Sequence, residues 1–494
     1  MPRIPITGWW RCVIYFPVQR SGPGTSRLFA ASAGRLNATA KARHRDQESK
    51  TKTLTFLRAT LTKSRKQPIR PVESGLRATP RFPQVRASGE ALPKNTAENP
   101  DAAGNGDMRM TDLFTFRGAK KIIFGRGAFE GIAGAVGELG GTKPFIVMDG
   151  TLARSGTAAR TAELLDGNGL EHVLFDRVVG EPPLEIADEG AQLIRDANAD
   201  VVIGIGGGSA MDAAKAMAAL ARGKDRAEQY LGLDRVPGPG LPTIMVPTTA
   251  GTGSEVTFTA VFIRNDLRKK EGMNSPFLYP DIALLDPLLT LSVPPAVTAA
   301  TGIDAFCHAF ESFTSRQASP MSELFSLEAI RLIAENLRTS VHNGSDADAR
   351  EGMLLGSLYA GLGLANAGVT AVHSLSYPLG GRYGIPHGLA NTVLLPVVMR
   401  FNLPAALEKY AAVAETMGEP VEDCSLREAA MYAVDAVEEL IGDCGVDSTL
   451  ETLGIARDDF DEIAEQAMKV SRPLENNPRA LSPEDAIEIY NEAF

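Results

Sequence analysis

Short apolar runs alternate with amphipathic segments along the middle of the chain. The runs are rich in β-branched residues and five to eight residues long, which is typical of buried strands. We predict strands at 121–125 (KIIFG), 145–149 (FIVMD), 173–178 (VLFDRV), 201–208 (VVIGIGGG) and 243–249 (TIMVPTT). Between them, segments such as LEIADEGAQLIRDANAD place their apolar residues on one helical face. Strands that alternate with helices predict a mostly parallel sheet covered on both faces.

Near residue 290 the strand-like runs stop, and helical periodicity continues almost to the end of the chain. We predict helices at 294–317, 320–340, 347–366 and 483–493, with several more up to residue 442. The predicted fold class is an α/β domain at 111–290 followed by an all-α domain at 291–494. A cleft between two such domains is a usual place for a ligand.

Residues 1–107 show no sustained period of either helix or strand. They contain 19 Lys and Arg against 7 Asp and Glu, whereas residues 108–494 contain 31 against 53. This composition is typical of a mitochondrial or plastid transit peptide, and also of a disordered extension or of sequence translated upstream of a start at Met108 or Met110. Because the stretch is long and weakly amphipathic, we favour the second interpretation and predict a disordered basic extension at 1–110. The predicted location is therefore cytoplasmic, with a mitochondrial location as the alternative.

The body of the chain is acidic, and this limits the partners to be expected. Its net charge of −22 over residues 108–494 argues against nucleic acid and against an anionic membrane surface. No stretch is apolar for long enough to cross a membrane. The four cysteines show no CxxC spacing, which argues against a disulfide framework and against a cysteine-based zinc site.

Asp304 and His308 are two polar residues in the apolar run GIDAFCHAFES, and a spacing of four puts both on one helical face. A buried hydrogen bond would explain this pair, and so would half of a metal site. Of the six histidines, His373 and His387 lie in AVHSLSYPLGGRYGIPHGLAN, where an imidazole has no evident structural role. One carboxylate and three imidazoles without a thiolate suit divalent iron or zinc. We therefore favour a metal site over two unrelated hydrogen-bonded pairs.

Two glycine-rich loops each follow a predicted strand. The first passes through Gly206, Gly207 and Gly208 and enters a helix near Ser209. Glycines there let backbone N–H groups approach a phosphate at a helix amino terminus, although a tight turn alone also favours glycine. The second loop, PTTAGTGSEVT, presents hydroxyl groups that suit phosphate or ribose: Thr248, Thr249, Thr252 and Ser254. Two such loops at the carboxyl ends of neighbouring strands predict a nucleotide site.

Asp149 ends the predicted strand FIVMD and is followed by Gly150. A carboxylate in this place could bond a ribose hydroxyl, and it would repel a 2′-phosphate. It could equally cap a turn or a helix.

Five segments together resemble the iron-containing (group III) alcohol dehydrogenases: GIGGGSAMDAAKA, PTTAGTGSEVT, ATGIDAFCHAFES, HSLSYPLGGRYGIPHGLAN and NNPRALSPEDAIEIYNEAF. The resemblance covers about residues 112–494, with the motifs in family order, and does not extend over residues 1–110. It implies that 111–290 is a dinucleotide-binding domain and that 291–494 is a helical domain that binds the metal.

The resemblance also implies individual roles. The metal ligands would be Asp304, His308, His373 and His387. The pyrophosphate of the cofactor would contact Gly207, Gly208 and Ser209. The rest of the cofactor site would be lined by Asp212, Thr248, Thr249, Thr252 and Lys270. Because Asp149 matches the family position linked to a preference for NAD over NADP, NAD is the predicted cofactor. Fe²⁺ is the predicted metal, with Zn²⁺ as the alternative.

One position departs from the family pattern. Many members have a histidine four residues after the third ligand, which is thought to help in proton transfer or substrate contact. Here that residue is Tyr377, whose phenol also hydrogen-bonds but, with an ordinary pKa of about 10, is a weaker proton donor near neutrality. Tyrosine at this position is similar to some hydroxyacid–oxoacid transhydrogenases.

We therefore predict an NAD-dependent, metal-containing alcohol dehydrogenase, an oxidoreductase that transfers hydride reversibly between a small alcohol or hydroxy compound and nicotinamide. The metal would polarise the alcohol or carbonyl oxygen. The alternatives are a transhydrogenase that retains its cofactor, a lyase of the dehydroquinate synthase type, and a nucleotide-binding sensor without turnover. The partner would be a small alcohol or aldehyde, and the resemblance implies a homodimer or higher homo-oligomer.

Overall fold

The computed structural model describes residues 113–267, 269–446 and 448–494. The predicted basic extension at 1–110 lies outside the described residues. Within them, nine strands are present: β1 Lys121–Phe124, β2 Pro144–Asp149, β3 Val173–Val178, β4 Val201–Gly206, β5 Gly232–Leu233, β6 Thr243–Pro247, β7 Thr259–Arg264, β8 Lys269–Asn274 and β9 Ile282–Leu285.

The same residues contain fifteen α-helices: α1 Ile132–Glu138, α2 Gly150–Arg154, α3 Thr157–Asp166, α4 Glu185–Ala197, α5 Gly208–Ala221, α6 Pro295–Thr314, α7 Pro320–His342, α8 Ala347–Ala367, α9 Ala371–Tyr383, α10 His387–Asn402, α11 Leu407–Met417, α12 Leu426–Asp443, α13 Phe460–Met468, α14 Ser471–Asn476 and α15 Pro483–Glu492. The order of elements confirms the predicted fold class, an α/β part followed by a helical part. The limits of the predicted domains at 111–290 and 291–494 stay predictions.

Six strands form one parallel sheet in the order β1-β9-β6-β4-β2-β3. Successive side chains of β2 point to opposite faces of the sheet, and both faces are buried. Phe145 and Val147 pack into a core with residues of α4 and α5, while Ile146 and Met148 pack into a second core with residues of α1 and α3. The predicted sheet with helices on both faces is therefore confirmed.

The order of the strands opens a crevice at one edge of this sheet. The chain leaves β2 for the outer strand β3 and then returns to β4 on the opposite side of β2. The connections that follow β2 and β4 therefore leave in opposite directions. In sheets of this kind, ligands bind in the crevice outside the carboxyl ends of such strands.

A second, smaller sheet was not predicted from the sequence. Strands β7 and β8 form an antiparallel hairpin, and the short strand β5 pairs with β8. The sequence of β8, KKEGMN, is polar and lacks the apolar run of a buried strand.

The helical part packs closely against the loop that follows β6. Gly253, in this loop, has a φ of +61°, and a Cβ atom added at Gly361 of α8 would lie 2.8 Å from Gly253 Cα. Two glycines that face each other thus let the loop and the helix meet at backbone distance.

Helix α9 continues through Pro378, which lies inside it. Proline has no N–H group and cannot make the helical hydrogen bond to the residue four positions earlier. Among the described residues, no single helix is both long and apolar enough to cross a membrane. Only α8 and α9 taken together meet that test, and a bend of 102° separates them.

Candidate metal centre and cofactor cleft

Four side chains from three helices converge in the helical part of the chain. Asp304 and His308 lie one turn apart on α6. His373 lies near the start of α9, and His387 begins α10. One donor atom from each lies within 4.8 Å of those of the other three. Asp304 Oδ1 is 3.9 Å from His308 Nε2 and 4.0 Å from His387 Nε2. The structure thus brings together all four residues predicted as metal ligands.

The protonation states of this cluster suit a cation. Burial would raise the pKa of Asp304, but the three imidazoles around it and a hydrogen bond from Asn391 lower that pKa instead. Burial lowers the pKa of His308, and it lowers the pKa of His387 well below its usual range. An ionised carboxylate among neutral imidazoles is the state in which these side chains bind a divalent metal.

Glu311 fixes the ring of His373. Its fully buried carboxylate, one turn after His308 on α6, accepts a hydrogen bond from His373 Nδ1 through Oε2. The other oxygen, Oε1, accepts hydrogen bonds from Thr370 Oγ1 (2.7 Å) and from the backbone N–H of Val372 (2.8 Å). With the proton of His373 on Nδ1, the lone pair of Nε2 is free to point toward the metal-ligating atoms of the other three residues.

Asn391 marks the point on which the donor atoms converge. Its Nδ2 donates to Asp304 Oδ1 over 2.8 Å and lies 3.2 Å from His373 Nε2 and 3.3 Å from His387 Nε2. An amide offers two N–H groups to these three acceptor atoms. Asn391 Oδ1 is buried without a hydrogen-bond partner among the described residues. This buried cluster therefore holds more hydrogen-bond acceptors than N–H groups to satisfy them. Such an excess of acceptors fits a bound cation better than a network of hydrogen bonds alone.

Tyr377 lies one turn after His373 and borders the same cluster. Its ring centroid is 6.3 Å from that of His373 and 5.9 Å from that of His387. Burial, together with the charges of Glu311 and Asp304, raises the pKa of Tyr377 to about 12. The hydroxyl group is therefore protonated at neutral pH. It can donate a hydrogen bond, but it gives up its proton less readily than an ordinary phenol.

The residues predicted to bind the cofactor follow neighbouring strands of the large sheet. Asp149 ends β2 and Gly206 ends β4. Thr248 and Thr249 come directly after β6. A Cβ atom added at Gly206 would lie 3.9 Å from Asp149 Oδ2, and one added at Gly207 would lie 3.5 Å from Thr249 Oγ1. These residues therefore form one continuous surface beside the crevice between β2 and β4.

The glycine turn after β4 leaves the amino terminus of α5 open. Gly206 has a φ of +148°, which residues other than glycine rarely adopt. Gly207, which caps α5, has no side chain to bond the first N–H groups of the helix. A Cβ atom added at Gly208 would lie 2.7 Å from Thr252 Cγ2, so the two loops touch here. Free N–H groups at the end of this 14-residue helix can hold an anionic group.

Asp149 caps helix α2, which confirms one of its two interpretations. Its Oδ1 accepts hydrogen bonds from the backbone N–H groups of Thr151 (2.8 Å) and Leu152 (2.9 Å). Both bonds use the same oxygen, so Oδ2 keeps its acceptor capacity. An interaction of Asp149 with ribose stays a prediction.

Two other predicted cofactor residues bond to protein atoms. The Ser209 hydroxyl donates to the carbonyl of Gly180. Asp212 accepts hydrogen bonds from Ser254 Oγ (2.6 Å) and from the backbone N–H of Val261 (2.9 Å). The side chain of Asp212 thus ties α5 to the loop after β6 and to β7.

A buried lysine supports this loop from behind. Lys215 Nζ lies 3.1 Å from Asp212 Oδ1 and donates to the carbonyls of Ser254 (3.1 Å) and Thr259 (2.5 Å). Glu255, also buried, has an Oε1 without a hydrogen-bond partner among the described residues. Burial raises the pKa of Glu255 to about 7, against a smaller opposing effect of the Lys215 charge.

Lys270 joins the hairpin to the helical part. Its Nζ lies 2.9 Å from Glu181 Oε1, and its side chain is 5% exposed. A Cβ atom added at Gly380 of α9 would lie 2.8 Å from Lys270 Cε. After burial, the charge of Lys270 is a further cause of the lowered pKa of His387. Lys270 therefore lies near the donor cluster as well as near the cofactor loops.

A cleft of about 1070 Å³ connects the two sets of residues. It is large for a ligand pocket, for which roughly 300–1,000 Å³ is usual. Nine predicted site residues line it: Gly208, Ser209, Asp212, Thr252, Lys270, His308, His373, Tyr377 and His387. Five are not part of its wall: Asp149, Gly207, Thr248, Thr249 and Asp304.

Comparison with known proteins places the chain in a family. Residues 119–287 match the family model described as iron-containing alcohol dehydrogenase, and residues 298–494 match the C-terminal model of the same family. The chain belongs to the iron-containing alcohol dehydrogenase family. It is 37% identical over 377 residues to the sulfoacetaldehyde reductase of Bilophila wadsworthia (strain 3_1_6), a match that covers 76% of this chain and 97% of the relative.

Solved structures of iron-containing alcohol dehydrogenases and their relatives share the fold. A 1,3-propanediol oxidoreductase superposes with a TM-score of 0.76 at 37% identity, covering 78% of this chain and all of the other. The sulfoacetaldehyde reductase of Bifidobacterium kashiwanohense, solved in complex with NAD⁺, gives 0.70 at 29% identity over 77% of this chain and 99% of the other. The prediction of iron and NAD is confirmed at the level of the family. The residues that would hold them stay predictions.

Two members of the cluster, Glu311 and Asn391, were not predicted from the sequence. Glu311 lies within the run GIDAFCHAFES, three residues after His308, and Asn391 follows His387 by four residues. Both spacings place the side chain on the face of its helix that carries the donor, which is the signal that could have found them.

Proposed function

We propose that this chain is a metal-dependent alcohol dehydrogenase that transfers hydride reversibly between a small alcohol and NAD. Asp304, His308, His373 and His387 would be the metal ligands. The observation that carries this proposal is the convergence of one carboxylate and three imidazoles beside a cleft that the open amino terminus of α5 also lines. That its relatives include alcohol oxidoreductases and aldehyde reductases supports it further.

When both are bound, divalent iron supplies a Lewis acid for the substrate oxygen and the nicotinamide supplies the hydride acceptor. The chain's own groups prepare the site. Glu311 holds the proton of His373 on Nδ1, so that Nε2 presents a lone pair. Tyr377, protonated at neutral pH, donates a hydrogen bond toward the substrate oxygen rather than acting as a proton carrier.

At the other end of the cleft, the backbone N–H groups of Gly207, Gly208 and Ser209 would hold the pyrophosphate. Thr248, Thr249 and Thr252 would line the cofactor beside them, together with Asp212 and Lys270. Asp149 Oδ2 would accept a bond from the ribose and repel a 2′-phosphate, which favours NAD over NADP.

The test compares the iron-loaded protein with His308→Ala. The wild type should oxidise a primary alcohol with added NAD, whereas His308→Ala should lose the bound metal and the activity and still bind NAD. Full turnover by a metal-free protein would refute the proposal. Loading with Zn²⁺ in place of Fe²⁺ decides between the two metals.

The same assay separates the alternatives. A transhydrogenase would pass hydride from a hydroxy acid to an oxo acid without added NAD, and a sensor would bind NAD without turnover. The homo-oligomeric state stays a prediction.

A further inference from the structure

Among the described residues, one cation on the wall of the cleft has no acidic partner. The lysine and arginine residues that line the cleft within the described part of the chain are Lys269, Lys270, Arg382, Lys469 and Arg472. Four of them pair with a carboxylate at 2.5 to 2.9 Å, those of Glu271, Glu181, Asp459 and Glu465 respectively. Among the described residues, no carboxylate lies within 4.0 Å of the guanidinium group of Arg472.

The surroundings of Arg472 leave its N–H groups available. Arg472 is exposed at the start of α14, and its guanidinium carbon lies 5.5 Å from the ring centroid of Phe258, which also lines the cleft. A contact with the face of an aromatic ring orients the planar guanidinium without using its hydrogen-bond donors. Those donors match the two oxygens of a carboxylate or a similar anion.

Arg472 belongs to the metal end of the cleft. Helix α14 packs against α9, the helix that carries His373 and Tyr377. The charge of Arg472 also lowers the pKa of Tyr377, against the larger effect of burial. Tyr377 in turn neighbours the ring of His387. The glycine turn expected to hold the pyrophosphate belongs to α5, on the other part of the chain, where the helix terminus already offers N–H groups.

The negative net charge of the chain bears on which substrates Arg472 could bind. Residues 108–494 carry a net charge of −22, so an anionic substrate would be repelled by the molecule as a whole. The carboxylates that line the cleft, Glu181, Asp212, Glu271 and Glu462, are each paired with a lysine or arginine. Of the cations described on this wall, Arg472 is therefore the one whose charge no carboxylate neutralises.

We propose that Arg472 binds the anionic end of the substrate, which would be a short hydroxy acid and the corresponding aldehyde acid. This inference rests on the proposed function and names its substrate class. The hydroxyl or aldehyde group lies at the donor cluster, and the carboxylate or sulfonate at the other end of the molecule bonds Arg472. In the reductive direction the aldehyde carbon gains hydride from NADH and its oxygen gains a proton, which yields the hydroxy acid and NAD⁺.

The test uses aldehydes that differ only in charge. Iron-loaded protein is assayed with NADH and either 4-oxobutanoate or its neutral methyl ester. The wild type should prefer the acid, and Arg472→Met should lower the ratio of the two kcat/KM values by about ten- to a hundredfold, the effect of losing charge-assisted hydrogen bonds. Arg472→Lys should retain part of the ratio. In Lys469→Met, which removes a cation that Glu465 already pairs, the ratio should stay at its wild-type value.

A binding measurement makes the test independent of turnover. Calorimetric titration of succinate, an unreactive anion of the same length, into the NAD-bound protein should show binding to the wild type that weakens at least tenfold in Arg472→Met. The inference is overturned if succinate binds both proteins equally or binds neither. It is also overturned if the wild type reduces acid and ester equally well, or if Arg472→Met raises the KM for NADH instead. If neither aldehyde is reduced although succinate binding depends on Arg472, the proposed function fails and the anion site stands.

Discussion

Side chains at the candidate centre come in pairs that are one helical turn apart. Asp304 precedes His308 on α6, His373 precedes Tyr377 on α9, and His387 precedes Asn391 on α10. In each pair the spacing of four residues puts both groups on one face, which the sequence alone shows. The bond between Glu311 and His373 joins two helices, and only the structure reveals it.

The role of Glu311 can be tested through metal affinity. Glu311→Gln replaces the carboxylate that holds the Nδ1 proton of His373 with a neutral amide, so we expect Fe²⁺ and Zn²⁺ to bind about 10- to 100-fold more weakly. The measurement is competition with a chromophoric chelator. The control is Thr314→Val, which alters another buried residue of α6 whose hydroxyl bonds only to carbonyls of its own helix. Equal affinities in wild type and Glu311→Gln would contradict the role.

Glu255 predicts how stability changes with pH. Its pKa is raised from 4.5 to about 7 by burial, so the folded state favours the protonated form. The contribution of Glu255 to the free energy of unfolding is complete below pH 4.5 and is lost as the pH rises through 7. The total change is about 3 kcal/mol. We expect the free energy of unfolding of Glu255→Gln, relative to wild type, to increase between pH 5 and pH 8. The measurement is urea denaturation of both proteins at the two pH values. If the difference between their free energies of unfolding is the same at pH 5 and pH 8, Glu255 is not the cause.

At the scale of whole elements, the sequence predicted most of what is present. The five predicted strands occur with ends within two residues, and the four helices given with bounds occur with ends within three. Apolar runs and helical periods are local properties, so one sequence suffices to find them. Strands β5 and β9 and helices α13 and α14 were not predicted. The hairpin of β7 and β8 was also missed, because its pairing across strands, rather than apolar content, stabilises a polar segment such as KKEGMN.

The contact between α8 and the loop that follows β6 can be tested by adding one methyl group at Gly361. Gly361→Ala would place a Cβ atom 2.8 Å from Gly253 Cα, so the loop must move away from the helix. We expect a loss of about 1–3 kcal/mol of stability and a raised KM for NAD. The measurements are urea denaturation and initial rates at varied NAD concentration.

A matched substitution separates this effect from the general effect of alanine in a helix. A Cβ atom added at Gly134, an exposed residue of α1, meets nothing within 4 Å. Gly134→Ala should therefore stabilise the protein by about 0.5–1 kcal/mol and leave the KM for NAD unchanged. The same KM in Gly361→Ala and Gly134→Ala would show that the contact does not position the loop.

At the scale of the molecule, the candidate site depends on residues that are distant in sequence. Asp304 and His387 are separated by three complete helices, yet their donor atoms lie 4.0 Å apart. The sequence identified the ligands by residue type and by resemblance to a family. Its spacing could have placed Asn391 on the face of His387, but the contact of Asn391 with donors from other helices and the surroundings of Arg472 are defined only in three dimensions.

Removal of the metal should weaken the whole helical part. The four donors belong to α6, α9 and α10, so an ion bound to all of them links three helices. At free metal a hundredfold above its Kd, binding stabilises the folded state by about 3 kcal/mol. We expect a chelator to lower the midpoint of thermal unfolding by a few degrees and added Fe²⁺ to restore it. His308→Ala should unfold at one temperature with or without Fe²⁺, and a wild type that did the same would argue against the site.

Pro378 lines the cleft and weakens the backbone hydrogen bonding of α9 close to the candidate metal ligands. Because proline lacks an N–H group, residue 378 makes no helical hydrogen bond to the carbonyl of Ser374, so one fewer backbone bond holds this turn. Tyr377 is the residue before this proline, whereas His373, one turn earlier, is bonded to Glu311. We therefore expect a widening of the cleft at this turn to displace Tyr377 and to leave His373 in place.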